Sequence, residues 1–176
     1  ELRVACELNT LGEETFVFPH TYGWLVSPRV PDEWLLLLRI HEREHTLLMQ
    51  PPPLFMFTFV QPVARKWDDA VLAAHHGYRV ALFFLLHGLY VARRTIGFNH
   101  GDIHAGNIMI QYYARRSDTR LSFGQYEAQI ESNFVPRFID YGRASSSKHR
   151  EALGASDLRQ LRKTFDERLE FDMDNH

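Results

Sequence analysis

An α+β fold is what this sequence predicts, and three features of its patterning carry the prediction. Asp68 to Ile96 reads as a long helix, broken near Gly77, whose second part (Val80-Ala81-Leu82-Phe83-Phe84-Leu85-Leu86) is apolar almost all round, as in a central buried helix. Leu54 to Val60 and Arg137-Phe138-Ile139 are short apolar runs beside prolines, the signature of buried strands. Ser156 to Glu170 reads as a final helix with Ser156 as its cap.

The remaining elements follow in order. Leu2 to Leu11 has helical spacing and is stopped by Gly12. Thr15-Phe16-Val17-Phe18 and Tyr22-Gly23-Trp24-Leu25-Val26 are β-rich. Asp32 to Gln50 is helical in pattern and ends at Pro51-Pro52-Pro53. Asn99 to Asn107 is a loop and Ile108-Met109-Ile110 a short strand. Arg120 to Ile130 suggests a hairpin around Phe123-Gly124-Gln125-Tyr126, and Ser145 to Lys148 a loop.

Composition bounds the function. At 176 residues, 45% apolar and 13% aromatic, the chain is one domain or two small ones with a real core. Twenty basic against 22 acidic residues give a net charge of -2, which argues against a polybasic nucleic-acid binder. The single cysteine, Cys6, excludes an intrachain disulfide and points to a reducing, intracellular compartment, cytoplasm or nucleus. The longest apolar run falls far short of the roughly 18 residues a spanning helix needs, so no membrane is expected as a partner.

The chemistry concentrates in His100-Gly101-Asp102-Ile103-His104-Ala105-Gly106-Asn107, followed by Ile108-Met109-Ile110, and in Phe138-Ile139-Asp140-Tyr141-Gly142. An H-x-D-x-x-x-x-N loop after a long helix, then a strand delivering D-x-G, resembles the catalytic loop and metal turn of the protein-kinase-like superfamily. Phosphoryl transfer needs a carboxylate at the acceptor hydroxyl and hard oxygen ligands for Mg²⁺. The resemblance implies that Asp102 meets the acceptor, that Asn107 and Asp140 hold Mg²⁺, and that His100 packs beneath the Asp140 turn. It makes Thr58 the gatekeeper and Phe59, Val60 and Gln61 the adenine hinge. Met109 would floor the adenine pocket, Ile139 would lie beside the metal turn, and Asp157 would brace the loop through its backbone.

Within that superfamily the chain is most similar to haspin-like kinases and kinase-like proteins of large DNA viruses. Glu1 to Leu11 looks like their αC helix, with Glu1 at the ion-pair position. The Pro31 to Gln50 insertion and the Leu121 to Pro136 hairpin are similar to theirs, and no A-P-E motif follows Asp140. The resemblance covers the αC-to-αF portion. It implies a partial small lobe and hinge over 1–61 and a mostly helical large lobe over 62–176. No G-x-G-x-x-G loop or V-A-I-K lysine precedes Glu1. Gly101 replaces the arginine of H-R-D, and His104 stands where Ser/Thr kinases often carry lysine. The implied activity is ATP- and Mg²⁺-dependent phosphoryl transfer to a protein Ser/Thr hydroxyl. The alternatives are a pseudokinase-type module that docks on a true kinase, and a small-molecule kinase of the aminoglycoside or choline type.

A rival motif is His41-Glu42-Arg43-Glu44-His45, an H-E-x-x-H that on a helix puts two imidazoles on one face with Glu42 as general base. Ten histidines make chance matches common, and no similarly spaced third ligand follows. A solvated helix face is the better account. His75-His76 reads as scaffold, and Arg93-Arg94 and Arg115-Arg116 as solvated basic pairs.

Overall fold

Helix α1 (Leu2–Asn9) opens the computed structural model, which describes residues 2–27, 55–63, 65–67, 77–147 and 154–174. There follow β1 (Thr21–Ser27), β2 (Phe55–Val60), β3 (Arg65–Lys66), α2 (Gly77–Ile96), β4 (Phe98–Asn99), a 3-10 turn (Ala105–Asn107), β5 (Ile108–Phe123), β6 (Tyr126–Phe138), β7 (Ser145–Ser146) and α3 (Gly154–Asp174). The chain divides into two compact units, one of Glu1–His20 with Pro62–His176, the other of Thr21–Gln61. Among the described residues no helix is long and apolar enough to cross a membrane.

The Thr21–Gln61 unit shows one antiparallel pair, β1 with β2, running from Thr21 opposite Val60 to Ser27 opposite Phe55. The apolar run ending β2 is not a buried strand throughout. Thr58, Phe59 and Val60 are exposed, as are Trp24, Leu25 and Val26 opposite. A two-stranded ribbon has two faces and little within itself to cover them.

In the larger unit α2 is the central element, as its composition predicts. It buries Tyr78, Ala81, Phe84, Leu85, Leu89 and Ala92, a stripe at helical spacing. The burial is not all round, because Phe83 is 46% exposed on the opposite face. Gly88 is where another segment crosses closest. A Cβ placed there would stand 1.9 Å from Cγ2 of Val17, which is fully buried. Thr15 to Phe18 therefore does not form the expected strand. It runs as an irregular bend that drops Val17 onto Gly88 and gives the Val17 carbonyl to the Phe138 N–H at 2.8 Å.

The second layer is a three-stranded sheet in the order β3-β5-β6. The β5–β6 ladder runs from Ile108 opposite Phe138 to Phe123 opposite Tyr126, with an irregularity between Tyr112 and Ser117. The hairpin expected over Arg120 to Ile130 is thus the far end of a much longer one. Its tip returns to the core, where Phe123 packs 5.2 Å from the His87 ring and 5.8 Å from Tyr90. Pro136, inside β6, is tolerated because β6 is an edge strand and needs no outward N–H. β7 pairs with β4, Phe98 opposite Ser146, so part of the expected Ser145 to Lys148 loop is strand. α3 starts at Gly154, which puts Ser156 inside the helix rather than at its cap.

Gly88→Ala separates two opposed effects. Alanine favours a helix over glycine by about 1 kcal/mol, but overpacking a rigid core costs about 1–3 kcal/mol or more. With Val17 β-branched and enclosed, overpacking wins. Chemical denaturation should show a net loss of stability in Gly88→Ala, and Val17→Ala in the same chain should restore part of it.

Candidate active site

Strand β4 leads directly into the loop that begins at His100. The His100 ring is fully buried among Phe98, Phe138 and Tyr141, with ring centroids 6.2, 5.3 and 5.8 Å away. Burial pushes its pKa below the ordinary 6.5, outweighing the carboxylates of Asp157, Asp102 and Asp140, which pull the other way. The neutral ring has one N–H. Its Nε2 lies 3.1 Å from the Ile139 carbonyl, so the proton sits there. Burial also pushes the Tyr141 hydroxyl far up, and the neutral phenol donates to the Phe138 carbonyl at 2.9 Å. Both bonds fix the strand end that carries Asp140.

The loop backbone is held from α3. Asp157, itself buried, accepts from the His100 N–H at 2.7 Å through Oδ2 and from the Gly101 N–H at 2.9 Å through Oδ1. One helical turn on, Gln160 accepts from the Ile103 N–H at 2.8 Å and reaches the Gly101 carbonyl at 3.4 Å. Bonds to a charged acceptor contribute about 1.5–3 kcal/mol each. They hold Gly101 at φ +80°, where a Cβ would also stand 2.7 Å from the Arg143 carbonyl oxygen. Glycine is the residue that meets both conditions.

Asn107 joins this loop to the Asp140 turn. Its Nδ2 donates to the Asp102 carbonyl at 3.0 Å, and its own carbonyl accepts from the Ile139 N–H at 3.0 Å. The amide nitrogen is thereby used inward, which leaves Oδ1 as the acceptor end. Asp140 has φ 61°, unusual for a non-glycine residue, and its Oδ1 accepts from the Gly142 N–H at 3.1 Å. The turn leaves the Asp140 carboxylate exposed. The Asp102 side chain is 33% exposed and lies 3.6 Å from Arg143 Nη1, on a guanidinium side chain 74% exposed. A pair this open contributes about 0–1 kcal/mol.

Asp102, Asn107, Ile139 and Asp140 thus share one bonded network, with His100 beneath it and Asp157 behind it. Met109 lies half-buried on β5 opposite Arg137. Thr58, Phe59 and Val60 end β2, and Gln61 follows them, in the other compact unit. Glu1, His41 to His45 and His75-His76 lie outside the described residues. Asn107 and Asp140 supply hard oxygen donors of the kind Mg²⁺ takes. Among the described residues no three His, Cys, Asp or Glu side chains group together as a metal cage. A cation here would complete its shell with water and phosphate oxygens, the usual habit of Mg²⁺.

Sequence reasoning missed Gln160 and Arg143. The first had a signal, since it falls three residues after Asp157 on the same helix face. The second had none, because only the close backbone approach to Gly101 brings it to Asp102. His104 turns its Nδ1 back onto the Gly106 N–H at 3.1 Å and caps the 3-10 turn. Arg3 of α1 reaches the Ser146 carbonyl at 3.3 Å.

No protein-family model matches the chain, and no curated protein matches it either. Among solved structures, the crystal structure of a kinase domain is similar at a TM-score of 0.40 and 12% identity, over 86% of this chain. The chain spans 42% of that domain's length.

The buried imidazoles make stability pH-dependent. His87, like His100, is held below 6.5 chiefly by burial. Below about 6.5 the unfolded chain takes up protons that the folded chain refuses, so stability falls as pH drops. Thermal unfolding should give a Tm that declines from about pH 7.5 to about pH 5.5, with a smaller decline in His87→Phe.

Proposed function

We propose that this chain is part of an ATP-dependent phosphotransferase of the protein-kinase-like fold, haspin-like in its details, acting on a protein Ser/Thr hydroxyl. The observation that carries the reading is the bonded loop. A helix carboxylate grips the His100 and Gly101 amides, while Asn107 holds the Asp102 carbonyl through its side chain and the strand end before Asp140 through its backbone carbonyl. The loop and turn so tied carry the partly exposed Asp102, the buried Asn107 and the exposed Asp140, beside a fully buried histidine. Phosphoryl transfer is mainly a matter of positioning and charge stabilisation, and such a frame supplies positioning.

In this reading Asn107 Oδ1 and the Asp140 carboxylate hold Mg²⁺, which when bound neutralises charge on the phosphates. Asp102 accepts a hydrogen bond from the acceptor hydroxyl, orients it and takes its proton. Met109 and Ile139 line the adenine side, with Thr58 as gatekeeper, Phe59, Val60 and Gln61 as hinge, and Glu1 as partner of a lysine. Residues 1–61 then correspond to part of a small lobe and 62–176 to a large lobe.

The two carboxylates should fail differently. In the full-length protein, Asp140→Asn should weaken Mg²⁺-nucleotide binding by about tenfold or more. Asp102→Asn should bind nucleotide nearly as before and lose about 10²–10⁴ in turnover, the usual contribution of a positioned base. Binding and turnover are measured on both variants with the same nucleotide. Full turnover in Asp102→Asn, or unaltered binding in Asp140→Asn, would contradict these roles.

A further inference from the structure

We propose that Arg143 is a catalytic residue, the cation that meets the transferring phosphoryl group; this rests on the phosphotransferase reading above. Charge accumulates on the non-bridging phosphoryl oxygens as the group moves, and a cationic side chain there stabilises the transition state. The loop from His100 to Asn107 contains no lysine or arginine. His100 is buried and neutral, and His104 is turned onto the Gly106 N–H. Arg137, on the neighbouring strand, is buried and bonded to the Phe18 carbonyl, Gln111 and Tyr113.

Arg143 meets the requirement by place. It follows the Asp140-Tyr141-Gly142 turn directly, and its Nη1 stands 3.6 Å from the Asp102 carboxylate that would face the acceptor. A group beside both the base and the metal turn is beside the reacting phosphorus. The ion pair is exposed and weak, so the guanidinium can leave Asp102 for phosphoryl oxygens, which it can bind in fork geometry. Gly101 belongs to the same device. At φ +80° and without a Cβ, it lets the Arg143 backbone lie against the catalytic loop.

The step balances simply. The acceptor oxygen bonds the γ-phosphorus and its proton passes to Asp102. The bond from that phosphorus to the bridging oxygen breaks, and its electron pair leaves on ADP. Arg143 changes neither protonation nor bonding; it moves from the carboxylate to the transferring oxygens.

The test is nucleotide discrimination, read by NMR titration so that millimolar affinities are measurable. Mg²⁺-ADP and a non-transferable Mg²⁺-ATP analogue are titrated into the full-length protein, Arg143→Met and Arg143→Lys. The unmutated protein should prefer the analogue by about tenfold, Arg143→Met should lose that preference while keeping its ADP affinity, and Arg143→Lys should fall between. An unchanged preference in Arg143→Met would overturn the proposal and leave the phosphotransferase reading standing. So would faster turnover in that variant, which would make Arg143 a restraint on Asp102. If neither nucleotide binds the unmutated protein, the phosphotransferase reading fails and this proposal with it.

Discussion

The carboxylate of Asp157 is the constraint on which the rest of the site depends. It accepts two consecutive backbone N–H groups, from His100 and Gly101, across more than fifty residues of sequence. A loop of this length cannot hold a left-handed residue and two inward-facing amides by itself. A buried donor that loses its acceptor costs about 1–3 kcal/mol, so the loop follows α3 rather than solvent. With Gly101 set, Asp102 is presented outward, its carbonyl meets Asn107, and Asn107 in turn receives the Ile139 N–H before Asp140.

Apolar packing makes that polar frame rigid. Phe98, Phe138 and Tyr141 surround the His100 ring, and Phe18 packs against all three, meeting Phe98 edge-on at 5.3 Å. The same segment that supplies Phe18 drops Val17 onto Gly88 of α2. The long helix, the bend before β1 and the strand end before Asp140 therefore lock together through adjacent residues. The cost of this arrangement is a neutral histidine inside the molecule, and it appears as sensitivity to acid rather than as a charged group in the site.

The loop frame was legible because His100, Asp102, Asn107 and Asp140, with Asp157 behind them, stand at a spacing that resembles a known motif. Helix α2 was legible from its dense apolar run, though not which side of it faces solvent, and the tip of the β5–β6 hairpin from Gly124-Gln125. The ladder's length was not, because Arg115 to Thr119 is polar on both faces and carries no alternation. Thr15 to Phe18 has strand composition, yet a glycine 71 residues further on decides its path. The Thr58 to Val60 run is apolar without being enclosed, since composition records what a segment can bury and not what stands beside it. Arg143 was invisible for a related reason: its meeting with Asp102 is a product of the Gly101 backbone, which no local pattern announces.

In the reading proposed, Asn107 and Asp140 form a nucleotide-dependent cation site beside Asp102. Mn²⁺ can stand in for Mg²⁺ and broadens NMR signals close to it. In an assigned amide spectrum, Mn²⁺ with ATP should broaden Asn107, Ile139 and Asp140 and their neighbours, and far less without nucleotide. Sharp signals at those residues in the presence of Mn²⁺-ATP, or broadening centred on His41 to His45 instead, would contradict the account.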